Sequence, residues 1–123
     1  MRIASLLAVA ALLAPLPAFA HPKLVSATPA ADAATAPTAR VQLAFSEALV
    51  QQFSGADVAM TSMPGMKMNA PMRMPGQASL AEDGKMLIIT FPKPLPKGSY
   101  RVDWHVVSTD THRVQGDYSF QVK

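Results

Sequence analysis

No cysteine occurs in this 123-residue sequence, and that absence removes structural disulfides, iron–sulfur clusters, cysteine zinc sites and thiol nucleophiles together. Any soft-metal chemistry must then use thioethers or imidazoles. Charge is scarce too: charged residues make up 15% of the chain, and 11 basic against 8 acidic side chains leave a formal +3 with no run of adjacent basic residues. So weak and scattered an excess carries no nucleic-acid function. The sequence has no glycine-rich phosphate loop, nucleophile elbow or zincin helix motif, so catalysis by side chains alone is poorly supported. Convincing amphipathic helices are also missing. The 11 prolines oppose a helix bundle, because an interior proline removes a hydrogen bond and clashes with the preceding turn.

What is present begins with an export address. Arg2 supplies a positive start, Ile3 to Leu16 an apolar stretch, and Ala18-Phe19-Ala20 the small-x-small pattern before a signal-peptidase cut. The apolar stretch is broken by Pro15 and Pro17 and falls short of the ~20 residues a spanning helix needs, so no stable membrane insertion is expected. Residues 1–20 are expected to be removed. Residues 21–123 then form one small domain starting at His21.

That domain is patterned as strands. Apolar residues alternate at 41, 43 and 45 in Arg40 to Phe45, at 100, 102, 104 and 106 in Tyr100 to Val106, and again in Tyr118 to Val122. Period-two alternation puts successive side chains on opposite faces of a half-buried antiparallel strand. Lys23 to Ala27, Ala56 to Met60 and Met86 to Phe91 are further expected strands, separated by proline- and glycine-rich turns. Seven or so short strands of this kind predict an all-β sandwich or small barrel.

A loop from about 60 to 76 stands outside this pattern. Between Thr61 and Gln77 lie Pro64, Gly65, Pro71, Pro75 and Gly76, which exclude a helix or a central strand. Met60, Met63, Met66, Met68, Met72 and Met74 put six thioethers into fifteen residues, at spacings that fit neither helix nor strand. Methionine is often an adaptable core filler or a sticky partner surface. Interleaved with prolines and polar residues, this run instead fits Cu(I), which thioethers bind while discriminating against zinc, magnesium and calcium.

A second donor set is harder. After cleavage, His21 offers its α-amine and imidazole Nδ1 as a chelate pair suited to Cu(II). Pro22 has no amide N–H to join it. Asp110-Thr111-His112 lies in a loop where an i, i+2 pair can converge on an ion; alone it reads rather as a capped turn with a solvated histidine, and it gains weight beside His21 and the methionine loop. Glu47 continues the inward parity of 41, 43 and 45, aiming a carboxylate inward if the strand persists and at water if it ends by Ser46. His105 falls on the outward face, opposite Trp104, and reads as a surface residue.

Taken in order, HPKLVSATPA, LAFSEALVQQFSGA, MTSMPGMKM and YRVDWHVVSTDTHRVQGDYSFQVK resemble the CopC/PcoC copper-resistance proteins of the bacterial periplasm, over essentially all of residues 21–123. The resemblance implies a seven-stranded Greek-key β-sandwich, Ig-like or cupredoxin-like, that binds copper in the periplasm without catalysing a reaction. It implies Cu(II) ligands at His21, Asp110 and His112, with Glu47 at a nearby acidic position. Met60, Met63, Met66 and Met72 match methionines of a Cu(I) loop, and Trp104 a buried tryptophan. The implied partners are a CopD-type inner-membrane copper transporter and a periplasmic multicopper oxidase. Two departures stand out: this loop lacks the histidine of full Cu(I) sites, offering Met68 and Met74 instead, and His105 replaces an arginine.

Two other functions compete. An amino-terminal histidine with a second histidine can form the copper brace of polysaccharide-cleaving enzymes, but those need a flat face, often aromatic, and the one tryptophan and two tyrosines here sit on core parity. A metal-free adhesion or assembly sandwich would use the methionines only as a contact surface.

Overall fold

The computed structural model describes residues 21–66 and 68–123; the expected signal segment 1–20 lies outside the described residues. In chain order the strands are β1 (Leu24–Thr28), β2 (Ala34–Thr35), β3 (Arg40–Phe45), β4 (Gly55–Ser62), β5 (Met72–Met74), β6 (Gln77–Leu80), β7 (Met86–Thr90), β8 (Gly98–Val107) and β9 (Arg113–Val122). A single 3-10 turn, Gln51–Phe53, precedes β4. No described helix is long and apolar enough to cross a membrane.

Two sheets face each other, one ordered β1-β3-β7-β6 and the other β2-β9-β8-β4-β5. The chain crosses between sheets from β3 to β4 and from β7 to β8, while β3 pairs with β7 and β4 with β8. Such interlocked crossings are the Greek-key solution for a sandwich. β2 and β5 are short edge strands, which leaves seven longer strands, the number expected.

The alternating segments bury the residues their parity predicts: Val41, Leu43 and Phe45 from β3, Tyr100, Val102, Trp104 and Val106 from β8, and Tyr118, Phe120 and Val122 from β9. Each such side chain removed from water contributes about 1.5–3 kcal/mol before entropic costs. Tyr100 stacks on Phe120 at 5.4 Å, and Phe45 meets Trp104 edge-on at 5.2 Å across the sheets. Gly116 lies opposite Trp104 on β9. A Cβ there would fall 2.4 Å from the indole Cζ2, so only glycine lets the ring lie over β9.

Three elements have no counterpart in the sequence pattern. β6 is a polar edge strand that presents no apolar alternation, β2 contributes two residues parallel to β9, and β5 runs through the methionine segment between Pro71 and Pro75. Prolines are tolerated there because β5 is an edge strand, paired only with β4.

Candidate metal centres

Strand β8 connects the two candidate centres. Its ten residues span about 33 Å. Beyond its carboxyl end lies the turn that holds Asp110 and His112; beside its amino end, where Ser99 pairs with Ser62, the methionine segment leaves β4.

At the histidine end, Ser108 follows β8 on inward parity and is 1% exposed. Its backbone N–H donates to the His112 carbonyl at 2.9 Å, and Thr111 N–H donates back to the Ser108 carbonyl at 2.8 Å, closing a tight turn with Thr111 at φ 74°. The Ser108 hydroxyl donates a short hydrogen bond to Asp110 Oδ1. Asp110 Oδ2 in turn stands 3.1 Å from His112 Nδ1. These contacts, led by the Ser108 hydroxyl, hold the Asp110 carboxyl below the usual carboxylate range, against a smaller upward push from desolvation. A carboxylate beside Nδ1 favours the tautomer with the proton on that nitrogen and the lone pair on Nε2.

His21 is brought to the same place. Pro22 is buried, and Lys23 exchanges two hydrogen bonds with Ser46, its N–H to Ser46 Oγ and its carbonyl from Ser46 N–H, both at 2.9 Å. The His21 ring then meets the His112 ring edge-on with centroids 4.5 Å apart. Val50 N–H on the Val107 carbonyl, Thr109 N–H on the Ala48 carbonyl and Val107 N–H on Ser54 Oγ tie the 46–54 segment to the same turn. Glu47, on that segment, is half-buried: regular β3 pairing ends at Phe45, so the strand parity that would aim its carboxylate inward is interrupted. Among the described residues no three His, Asp or Glu side chains form a ready-made metal cluster. What is preassembled is an imidazole pair with a carboxylate behind one ring. The α-amine of His21 joins it only once the preceding peptide bond is cut.

At the other end, Met63-Pro64-Gly65-Met66 forms a tight turn in which Met66 N–H donates to the Met63 carbonyl at 3.1 Å. Proline at its second position and Gly65 at φ 72° at its third fit a type II turn, which brings residues 63 and 66 to face each other. Met72 and Met74 pair with Met60 and Val58 across β4 and β5, so all four side chains share the inner face. Met66 and Met72 are 63% and 50% exposed, while Met63, Met68 and Met74 are half-buried against the core.

Met60 departs from the expectation that groups it with the loop thioethers. It lies inside β4 between Met72 and Tyr100, and is 1% exposed, with its Cε next to Gly98. The methionine string begins inside β4 and runs past its end at Ser62, and the methionine still within that strand takes the core role that methionine fills well.

His105 stays on the outer face as expected, over Gly55 and opposite Gln115, away from the histidine pair. Beside it, Asp57, Asp103 and Asp117 stand in one row across β4, β8 and β9. Arg73 bonds Asp57 at 3.1 Å, and Arg101 bonds Asp103 at 3.0 Å and Asp117 at 3.2 Å, which offsets the repulsion of like charges facing across strands. Sequence reasoning missed Ser108 and Ser46, and read Pro22 only for its missing N–H, although all three help to place the histidines. Ser108 carried a signal, since a serine continues the inward series 100, 102, 104, 106.

The chain is thus a Greek-key sandwich with an imidazole pair at one end and clustered thioethers at the other. The chain belongs to the CopC family of copper-resistance proteins, whose CopC domain model matches residues 24–123. It is 50% identical over 115 residues to copper resistance protein C of Xanthomonas campestris pv. juglandis, covering 94% of this chain and 90% of that one. The crystal structure of selenomethionine PcoC, a copper resistance protein from Escherichia coli, is similar with a TM-score of 0.78 and 46% identity, covering 82% of this chain and 99% of PcoC. A second crystal structure of PcoC, described as a methionine-rich copper resistance protein, has a TM-score of 0.76 at 45% identity over 85% of this chain and all of that one. The chain is therefore a copper-binding resistance protein and not an enzyme.

Proposed function

We propose that this protein is a periplasmic copper carrier or buffer with two unlike sites. Cu(II) is held at the histidine end by the α-amine and Nδ1 of processed His21 and by Nε2 of His112, with Asp110 orienting the His112 ring or supplying an oxygen, and Glu47 nearby. Cu(I) is held at the other end by thioethers drawn from Met63, Met66, Met68, Met72 and Met74, while Met60 backs Met72 from the core.

The carrying observation is the segregation of donor types: nitrogen and oxygen donors lie beyond one end of β8 and thioethers beside the other. Borderline nitrogen donors favour Cu(II) and soft thioethers favour Cu(I), so a change of oxidation state moves the preferred site. Export through the 1–20 signal gives His21 its free amine. The family resemblance supports a CopD-type inner-membrane transporter and a periplasmic multicopper oxidase as partners in transfer.

The chelate has a direct test. Processed protein starting at His21 is compared with protein carrying one extra residue before it, using Cu(II) titration against a competing chelator. Tight binding is expected only in the former; equal affinity would refute the α-amine as a ligand.

A further inference from the structure

The methionines of the soft-donor end are not equivalent, and their inequality has a chemical consequence of its own. Met66 sits at the fourth position of a turn and is 63% exposed, and Met72 lies on an edge strand and is 50% exposed. Met63, Met68 and Met74 are half-buried against the core, and Met60 is sealed at 1%. Attack on a thioether by an oxygen-donor oxidant requires access to a sulfur lone pair, so exposure ranks these residues as targets.

We propose that Met66 and Met72 are modification sites for peroxide or hypohalous acid, and that their conversion to sulfoxide closes the soft-metal end while leaving the fold and the histidine end intact. This rests on the two-site reading above. In the step, a sulfur lone pair attacks the terminal peroxide oxygen, an S–O bond forms and the O–O bond breaks. Sulfur loses two electrons, and the departing hydroxide takes the proton of the new sulfur-bound hydroxyl, leaving as water and giving the sulfoxide. The sulfoxide offers a hard oxygen and a less basic sulfur, a poor donor for Cu(I). Conversely, a metal ion held on the same lone pairs shields them from oxidation.

The fold should survive because neither side chain lies in the core, whereas a polar sulfoxide at Met60 would stand unpaired among Tyr100 and Met72. Copper resistance would thereby respond to oxidant as well as to copper, and the change would be reversible by a methionine sulfoxide reductase.

The test treats processed protein with limiting hydrogen peroxide and maps sulfoxides by peptide mass spectrometry, with and without Ag(I), a soft ion that does not cycle redox state under these conditions. Expected results are first oxygens at Met66 and Met72, Met60 oxidised last, and Ag(I) slowing the early phase several-fold. The doubly oxidised protein should keep its melting temperature and its Cu(II) spectrum but bind Ag(I) at least several-fold more weakly. A variant with Met66→Ile and Met72→Ile should lose the early phase. Oxidation of Met60 as fast as Met66, or undiminished Ag(I) affinity after oxidation, would overturn the proposal alone. Failure of the unoxidised protein to bind Ag(I) would overturn the two-site reading and this proposal with it.

Discussion

Ser108 couples the fold to the chemistry through one hydroxyl. Buried at the end of the inward series of β8, it grips Asp110, which in turn holds the ring of His112. Replacing Ser108 by alanine leaves the turn's backbone bonds in place but removes the strongest hold on the carboxylate, which then keeps only its contacts with His112. Removing a group that orients a metal-binding histidine typically costs 10–100-fold in affinity, so Cu(II) binding of Ser108→Ala should weaken by about 10-fold or more. The same substitution should raise the Asp110 pKa toward the ordinary carboxylate range. In the native protein the lowered pKa contributes stability that is present above that range and lost as pH falls through the folded value. Chelator competition with an acid titration of the Asp110 carboxyl by NMR reads both effects. Unchanged affinity and an unchanged Asp110 titration would show that Ser108 only fills space.

At the scale of elements, strand parity was the legible part. Alternation at 41, 43 and 45 and at 100 to 106 located β3 and β8 to within two residues, because each has one dry face and one wet face; that at 118 to 122 found only the second half of β9, whose first five residues, Arg113 to Asp117, are not buried. β6 was invisible for the opposite reason: as an edge strand with mostly exposed residues it has no dry face to encode. The type II turn at 63–66 was implicit in Pro-Gly, but β5 was hidden because its bounding prolines exclude only a central strand. Met60 shows the limit of reading a run of one residue type, since the strand boundary inside the run decides which sulfur is core. The Trp104–Gly116 pair is another element-scale device. Gly116→Ala places a methyl group against the indole, and overpacking of this kind costs about 1–3 kcal/mol. Urea unfolding should report the loss together with a red-shifted tryptophan emission; unaltered stability would mean that the ring moves aside freely.

At the scale of the molecule, the nature of the metal was legible because donor chemistry is written in residue type, and six methionines without cysteine admit few metals. The coming together of His21, Asp110 and His112 was not legible from spacing, since 89 residues separate His21 from Asp110 and only their tertiary ties to the 46–50 segment bring them together. In the two-site reading the centres lie beyond opposite ends of β8, about 33 Å apart along the strand, so each should load independently. That independence is directly measurable. A paired titration of processed protein with Cu(II), followed by electron paramagnetic resonance, and with Cu(I), against a soft competing ligand, tests it on His112→Ala and on a Met63→Ile, Met66→Ile variant. The two-site account predicts loss of the nitrogen-coordinated Cu(II) signal with unaltered Cu(I) affinity in the first, and the reverse in the second. Loss of both activities in either folded variant would contradict it.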